Sequence, residues 1–175
     1  SATCELIFQD CRIPAENLIA REGMGFIVAM KTLDISRPGV AAQALGVAAG
    51  ALEAAVQYSR ERVQFGKAIA GHQAVAHRLV TARTKLEACR HMLYHAAHLA
   101  NDGKPCGVET SMAKLFIADT GVEIALACQQ VMGAYALSDA YDIDRNVRDL
   151  LGMPIVGGSS DMQRNNLAGL WRLKG

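Results

Sequence analysis

Eight residues, Val75, Leu79, Ala82, Leu86, Cys89, Leu93, Ala96 and Ala100, follow one another in alternating steps of four and three. Only an α-helix puts that spacing on one face, so the segment from about His72 to Asn101 reads as one long helix with a single apolar stripe. Asn101-Asp102-Gly103 stops it and Pro105 prevents resumption. Such a helix needs partners, and two further segments supply them. Val40, Ala44, Val47, Ala51, Ala54 and Tyr58 carry the same steps, in a helix that starts behind Ser36 as N-cap with Pro38 in its first turn. Phe65-Gly66 and Gly71 break that pattern, which places its end near Arg62, and a separate short helix is expected after Gly25. A third long helix is expected from about Glu109 to Met132, with Leu115, Ala118, Val122, Ala125, Gln129 and Met132 as its stripe. Shorter helices follow near Ile143–Leu151 and Asp161–Arg172.

Long amphipathic helices joined by short loops define an all-α, antiparallel (up-down) helical bundle with shorter flanking helices. The flanks of the stripes are largely alanine rather than paired charges, which disfavours a free coiled coil. Aromatic residues are only 5% of a chain that is 51% hydrophobic, so close approach of small-residue helix faces is the expected packing. Residues 4–9, Cys-Glu-Leu-Ile-Phe-Gln, alternate instead with period two and read as a short strand. A lone strand cannot satisfy its backbone, so it is expected to belong to a sheet of a preceding β domain. Residues 1–22 are accordingly read as the end of that domain with its linker, and residues 23–175 as the helical domain.

The formal net charge is +1 with no dominant basic patch, so nucleic acid is not an expected partner. Five cysteines, Cys4, Cys11, Cys89, Cys106 and Cys128, are odd in number and show no CxxC spacing, which argues against a disulfide framework or a zinc site. No stretch approaches the roughly 20 consecutive apolar residues of a membrane span. The start lacks the basic region and apolar core of a signal peptide, and a reducing compartment is expected: bacterial cytoplasm or the mitochondrial matrix. His91, His95 and His98 share a helix face but lie off the core stripe, with no carboxylate-histidine pair to help them, so an outward or interfacial face is preferred to a metal site. Trp171 and Met162 are expected to be packing residues.

Chemistry concentrates where the first long helix ends, in Arg60-Glu61-Arg62-Val63-Gln64-Phe65-Gly66-Lys67-Ala68-Ile69 followed by His72-Gln73. Arginine offers phosphate a planar fork of donors, and glycine lets backbone come close to a ligand. Physical chemistry alone leaves two readings, an anion or nucleotide site and a solvated helix end.

The run Arg62-x-Gln64-Phe65-Gly66 with Ile69 and His72-Gln73 resembles the signature of the C-terminal domain of acyl-CoA dehydrogenases. Further matches occur in the same order. Residues 5–26, with Glu5-Leu6-Ile7-Phe8, Arg12-Ile13-Pro14-Ala15-Glu16-Asn17-Leu18 and Gly23-Met24-Gly25-Phe26, resemble the family's passage from its middle β domain into its helical domain. Leu33-Asp34-x-x-Arg37-Pro38 resembles its acyl-CoA-lining segment, and Gln129-Gln130-Val131-Met132-Gly133 its second flavin-contacting turn. Asp142-x-Asp144-Arg145 and Met162-Gln163-Arg164 resemble its last two helices. The resemblance implies that Arg62, Gln64, Phe65, Gln130, Gly133 and Ser159 contact FAD, partly across a homodimer or homotetramer, and that Asp34 and Arg37 lie near an acyl-CoA substrate. An electron-transfer flavoprotein would be the redox partner of a dehydrogenase.

Two departures stand against ordinary dehydrogenation. The family's loop glutamate, which takes the α-proton while hydride leaves for the flavin, falls here at Gly157 in Val156-Gly157-Gly158-Ser159. The alternative position that some relatives use is Ser36. Neither residue is a base at neutral pH, and Asp161 remains a weak substitute. Three functions follow as expectations: an acyl-CoA dehydrogenase-like flavoenzyme without its usual base, a non-oxidative flavoprotein of desulfinase or lyase type, and a non-catalytic bundle for assembly or ligand binding.

Overall fold

The computed structural model describes residues 4–173. Five α-helices occur among them: α1 Gly25–Glu61, α2 Gln73–Asn101, α3 Gly107–Met132, α4 Ile143–Leu151 and α5 Ser160–Leu170. Contacts divide the chain into residues 1–32 and 33–175, and the bundle described below lies in the second unit.

α3 is the central helix. Ala113, Ile117, Gly121, Ile124 and Cys128 are buried along it, and α2, α4 and α5 all pack against it. Of the stripe expected from periodicity, Ala118, Ala125 and Met132 are buried as well, while Leu115, Val122 and Gln129 are only half-buried, because a helix covered on several sides has no single apolar face. α1 behaves alike: Ala41, Ala44, Ala48, Ala51 and Ala55 form its buried row, with Val40, Val47 and Ala54 only half-buried beside it. Alanine at these steps lets α1 approach α3 closely. At Gly121 a Cβ would stand 3.1 Å from Leu150 Cδ2 and 3.7 Å from the Ala44 carbonyl, so glycine is what allows α1, α3 and α4 to meet there. On α2 the stripe falls as expected, with Ala82, Leu86, Cys89 and Ala96 buried. His91, His95 and His98 are exposed.

Several expectations are corrected. Residues 4–9 form no strand; they are exposed, and among the described residues no neighbouring strand supplies a ladder. The helix break at Ser36–Pro38 does not occur. α1 runs through, Pro38 lies inside it, and the Ser36 hydroxyl donates back to the Leu33 carbonyl at 3.2 Å rather than capping an N-terminus. Proline forgoes one backbone hydrogen bond, a cost that the packing of the following four turns outweighs. Trp171 and Met162 are half-exposed, and α5 ends at Leu170. Finally, the segments Gly25–Glu61 and Gly107–Leu137 are each long and apolar enough to cross a membrane by length and composition, contrary to the sequence expectation. Alanine, glycine and short aliphatic residues raise their hydropathy, and in the bundle those residues form helix contacts.

Two short strands, β1 Val63–Gln64 and β2 Lys67–Ala68, make an antiparallel hairpin between α1 and α2, pairing Val63 with Ala68 and Gln64 with Lys67. Its two-residue loop puts both Phe65 (φ 54°) and Gly66 (φ 79°) in the left-handed region, the geometry that tight hairpins require.

Candidate functional site

The hairpin and the end of α3 enclose a depression of about 550 Å³ whose walls include Arg62, Gln64, Phe65, His72, Gly133 and Tyr135. Local folding explains the placement. The Arg62 amide donates to the Tyr58 carbonyl at 2.9 Å, continuing α1, and its own carbonyl accepts from Ile69 at 2.8 Å, closing the hairpin. A His72 ring nitrogen lies 3.1 Å from the Gln64 carbonyl, and the same ring meets Phe65 edge-on at 6.0 Å between centroids. On the opposite wall Gly133 ends α3 at φ 60° and ψ −136°, a conformation that side chains oppose, and turns the chain towards Tyr135. Four of the residues expected at a cofactor, Arg62, Gln64, Phe65 and Gly133, are thus brought together. Gln130 is exposed and is not part of this wall. Among the described residues Arg62 has no carboxylate partner, and no carboxylate lines the depression. A guanidinium so placed, with no ion pair of its own among the described residues, fits a phosphate-bearing ligand.

A second constellation lies under the loop between α4 and α5. Gly157 (φ 65°) and Gly158 (φ 90°) carry it in the left-handed region. Gln163, fully buried, donates from Nε2 to the Gly158 carbonyl at 3.0 Å and more weakly to that of Gly157 at 3.5 Å. Ser159 caps α5, accepting from the Met162 amide at 3.3 Å. Arg37 is buried, with Nη1 donating to Asp34 at 2.5 Å and to Ser111 at 3.2 Å. One turn beyond Ser111 stands Lys114, 0% exposed. Burial pulls its pKa below the usual lysine range; Asp119 opposes that shift and Arg37 adds to it. Lys114 Nζ, Arg37 Nε and Gln163 Oε1 are buried with no protein partner.

None of the three candidate base positions, Gly157, Ser36 and Asp161, presents a free carboxylate. Gly157 has no side chain, and the Ser36 hydroxyl is spent on its own helix. Asp161 has a side chain 90% exposed and pairs with Arg164 at 3.0 Å in the first turn of α5, where a negative charge also favours the helix dipole. Arg164 reaches Asp119 as well, at 3.1 Å, and Asp119 accepts from Ser160 at 2.7 Å. Burial pushes the Cys89 and Cys128 thiols up to about 11 and about 12, so both stay neutral. Among the described residues no group of three His, Cys, Asp or Glu side chains could hold a metal ion.

Sequence reasoning missed Lys114, Tyr135 and Gln163. Lys114 had a visible signal: it interrupts the row Ala113, Ile117, Gly121 at a position that must be covered once the helix is central. Tyr135 had none, because its partner lies 73 residues earlier in the chain.

The fold is thus an all-helical bundle with an arginine-lined depression, free of carboxylates, at its hairpin end. Comparison then gives the lineage. The protein-family model "Acyl-CoA dehydrogenase, C-terminal domain" matches residues 23–169, and the chain belongs to that family. It is 46% identical over 164 residues to an acyl-CoA dehydrogenase of Bacillus subtilis, covering 94% of this chain and 43% of the relative. It is 40% identical over 169 residues to the caffeyl-CoA reductase-Etf complex subunit CarC of Acetobacterium woodii, covering 97% and 45%. The structure of butyryl-CoA dehydrogenase from Megasphaera elsdenii superposes with a TM-score of 0.93 at 39% identity, over 95% of this chain and 43% of that one. The chain therefore spans less than half the length of the relatives it matches.

Proposed function

We propose that this domain is the FAD- and acyl-CoA-binding helical part of an acyl-CoA dehydrogenase-like flavoenzyme that works on the α,β carbons of a thioester. The observation that carries this reading is the depression that joins Arg62, Gln64, Phe65 and Gly133 and contains no carboxylate. Arg62 would hold the pyrophosphate by charge-assisted hydrogen bonds. Gln64 and Phe65 would border the same diphosphate surface, while Gln130 and Ser159 remain outer candidates. FAD supplies the hydride acceptor when bound. Arg37, held by Asp34 and Ser111, would flank the acyl-CoA. Residues 1–22 would be the end of a preceding β domain, and the assembly a homodimer or homotetramer in the bacterial cytoplasm or mitochondrial matrix. An electron-transfer flavoprotein would take the electrons of a dehydrogenase.

A second reading keeps flavin and acyl-CoA but replaces oxidation by loss of a leaving group, in the desulfinase or lyase manner. Gly157 and Ser36 favour it, since no carboxylate stands at either base position. Anaerobic mixing of the full-length flavoprotein with a panel of acyl-CoAs separates the two. Rapid bleaching of the flavin supports dehydrogenation. Thioester turnover without bleaching supports the second reading, and a colourless protein that takes up no FAD would leave only assembly or ligand binding.

A further inference from the structure

The Arg62 side chain has one partner among the described residues, and it is aromatic. Its guanidinium carbon lies 5.4 Å from the centroid of the Tyr135 ring. Tyr135 is itself braced: Tyr58 stacks against it at 5.9 Å with a 47° tilt, and Tyr141 meets it edge-on at 6.4 Å. Tyr58 and Tyr141 touch each other at 5.7 Å, also edge-on, so the three rings form a closed set. Tyr58 is buried and sits one turn before Arg62 on α1, which ties the set to the backbone that carries the arginine.

A free arginine side chain carries rotamer entropy that ligand binding must overcome unless the guanidinium is already held. A carboxylate would hold it but would also cancel the charge that an anion needs. An aromatic face holds it while leaving the N–H edge and the positive charge for a ligand. We propose that Tyr135 is the positioning residue for Arg62: its ring, braced by Tyr58 and Tyr141, presents the guanidinium edge-outward to the diphosphate of the cofactor. The inference rests on the reading of Arg62 as a flavin-phosphate ligand.

The test is FAD binding to the apo form of the full-length flavoprotein, followed by flavin fluorescence, for Tyr135→Phe, Tyr135→Leu, Arg62→Leu and the double variant Arg62→Leu/Tyr135→Leu. Tyr135→Phe keeps the ring and should stay within about twofold of wild type, whereas Tyr135→Leu should weaken binding about 2- to 30-fold, the range of a cation–π contact from exposed to desolvated. In the Arg62→Leu background the same Tyr135→Leu change should have almost no effect, because its action runs through the arginine. An undiminished loss in that background would mean that Tyr135 merely supports the turn, and the proposal would be wrong. Wild-type affinity in Tyr135→Leu alongside a weak Arg62→Leu would overturn the role of Tyr135 and leave the FAD site standing. Wild-type affinity in Arg62→Leu would remove the FAD reading and this inference together.

Discussion

Gly157 lies so close to Val40 that a Cβ built on it would stand 3.0 Å from Val40 Cγ2. Gly157 also has φ 65°, where any side chain is strained. A side chain at this loop position, where the family resemblance leads one to expect the base, is thus opposed by two separate obstacles, one in the backbone and one on α1.

Installing the carboxylate should therefore work poorly by itself. Gly157→Glu is expected to cost about 1–3 kcal/mol of stability through its backbone conformation alone, with crowding against Val40 in addition. Adding Val40→Ala should relieve the crowding and let the carboxylate settle. Thermal unfolding and anaerobic flavin reduction by acyl-CoAs, compared between the single and double variants, check this. Equal reduction rates in the two would show that Val40 is not an obstacle.

Lys114 is a buried cationic group without a hydrogen-bond partner. Replacing it with methionine, of similar length, should stabilise the domain by about 1–3 kcal/mol, the cost of an unsatisfied buried polar group. The gain depends on pH. The folded pKa is lowered from the ordinary 10.5, so the unfolded chain binds the proton more tightly. The part of the penalty that belongs to the charged form is fully present below the folded pKa and is lost as pH rises through it towards 10.5; the cost of the unpartnered neutral amine remains. Chemical denaturation of wild type and Lys114→Met at neutral and alkaline pH should show the difference shrinking upwards.

Leu86 is 2% exposed at the middle of α2. Leu86→Ala should cost roughly 2–5 kcal/mol, the range for cavities left by buried leucines. A urea midpoint unchanged from wild type would mean that α2 tolerates rotation about its axis.

Phe65 is 93% exposed, yet it holds a left-handed backbone. Its ring touches His72 but fills no core. Phe65→Asn should raise stability by about 0.5–1 kcal/mol, because asparagine tolerates this turn conformation far better. The same change should weaken FAD retention in the full-length flavoprotein if the ring serves the cofactor. Calorimetry and flavin content after gel filtration read the two effects separately.

Periodicity determined a good deal by itself. The stripe from Val75 to Ala100 required a helix, and α2 runs over Gln73–Asn101 as the spacing demands, because that helix has one buried face and one wet one. The Arg62–Gly66 run disclosed the family and marked the hairpin end of the bundle as the candidate site, since its residue types carry their chemistry locally. Tertiary structure decided the rest. α3 became the central helix, which no single-face pattern can reveal, and Lys114 was buried there against its own preference. Pro38 was carried within α1 because packing along its alanine row outweighs one lost hydrogen bond. Tyr135 came beneath Arg62 only once α3 had returned alongside α1, a meeting set by chain topology rather than by either residue's neighbours in sequence.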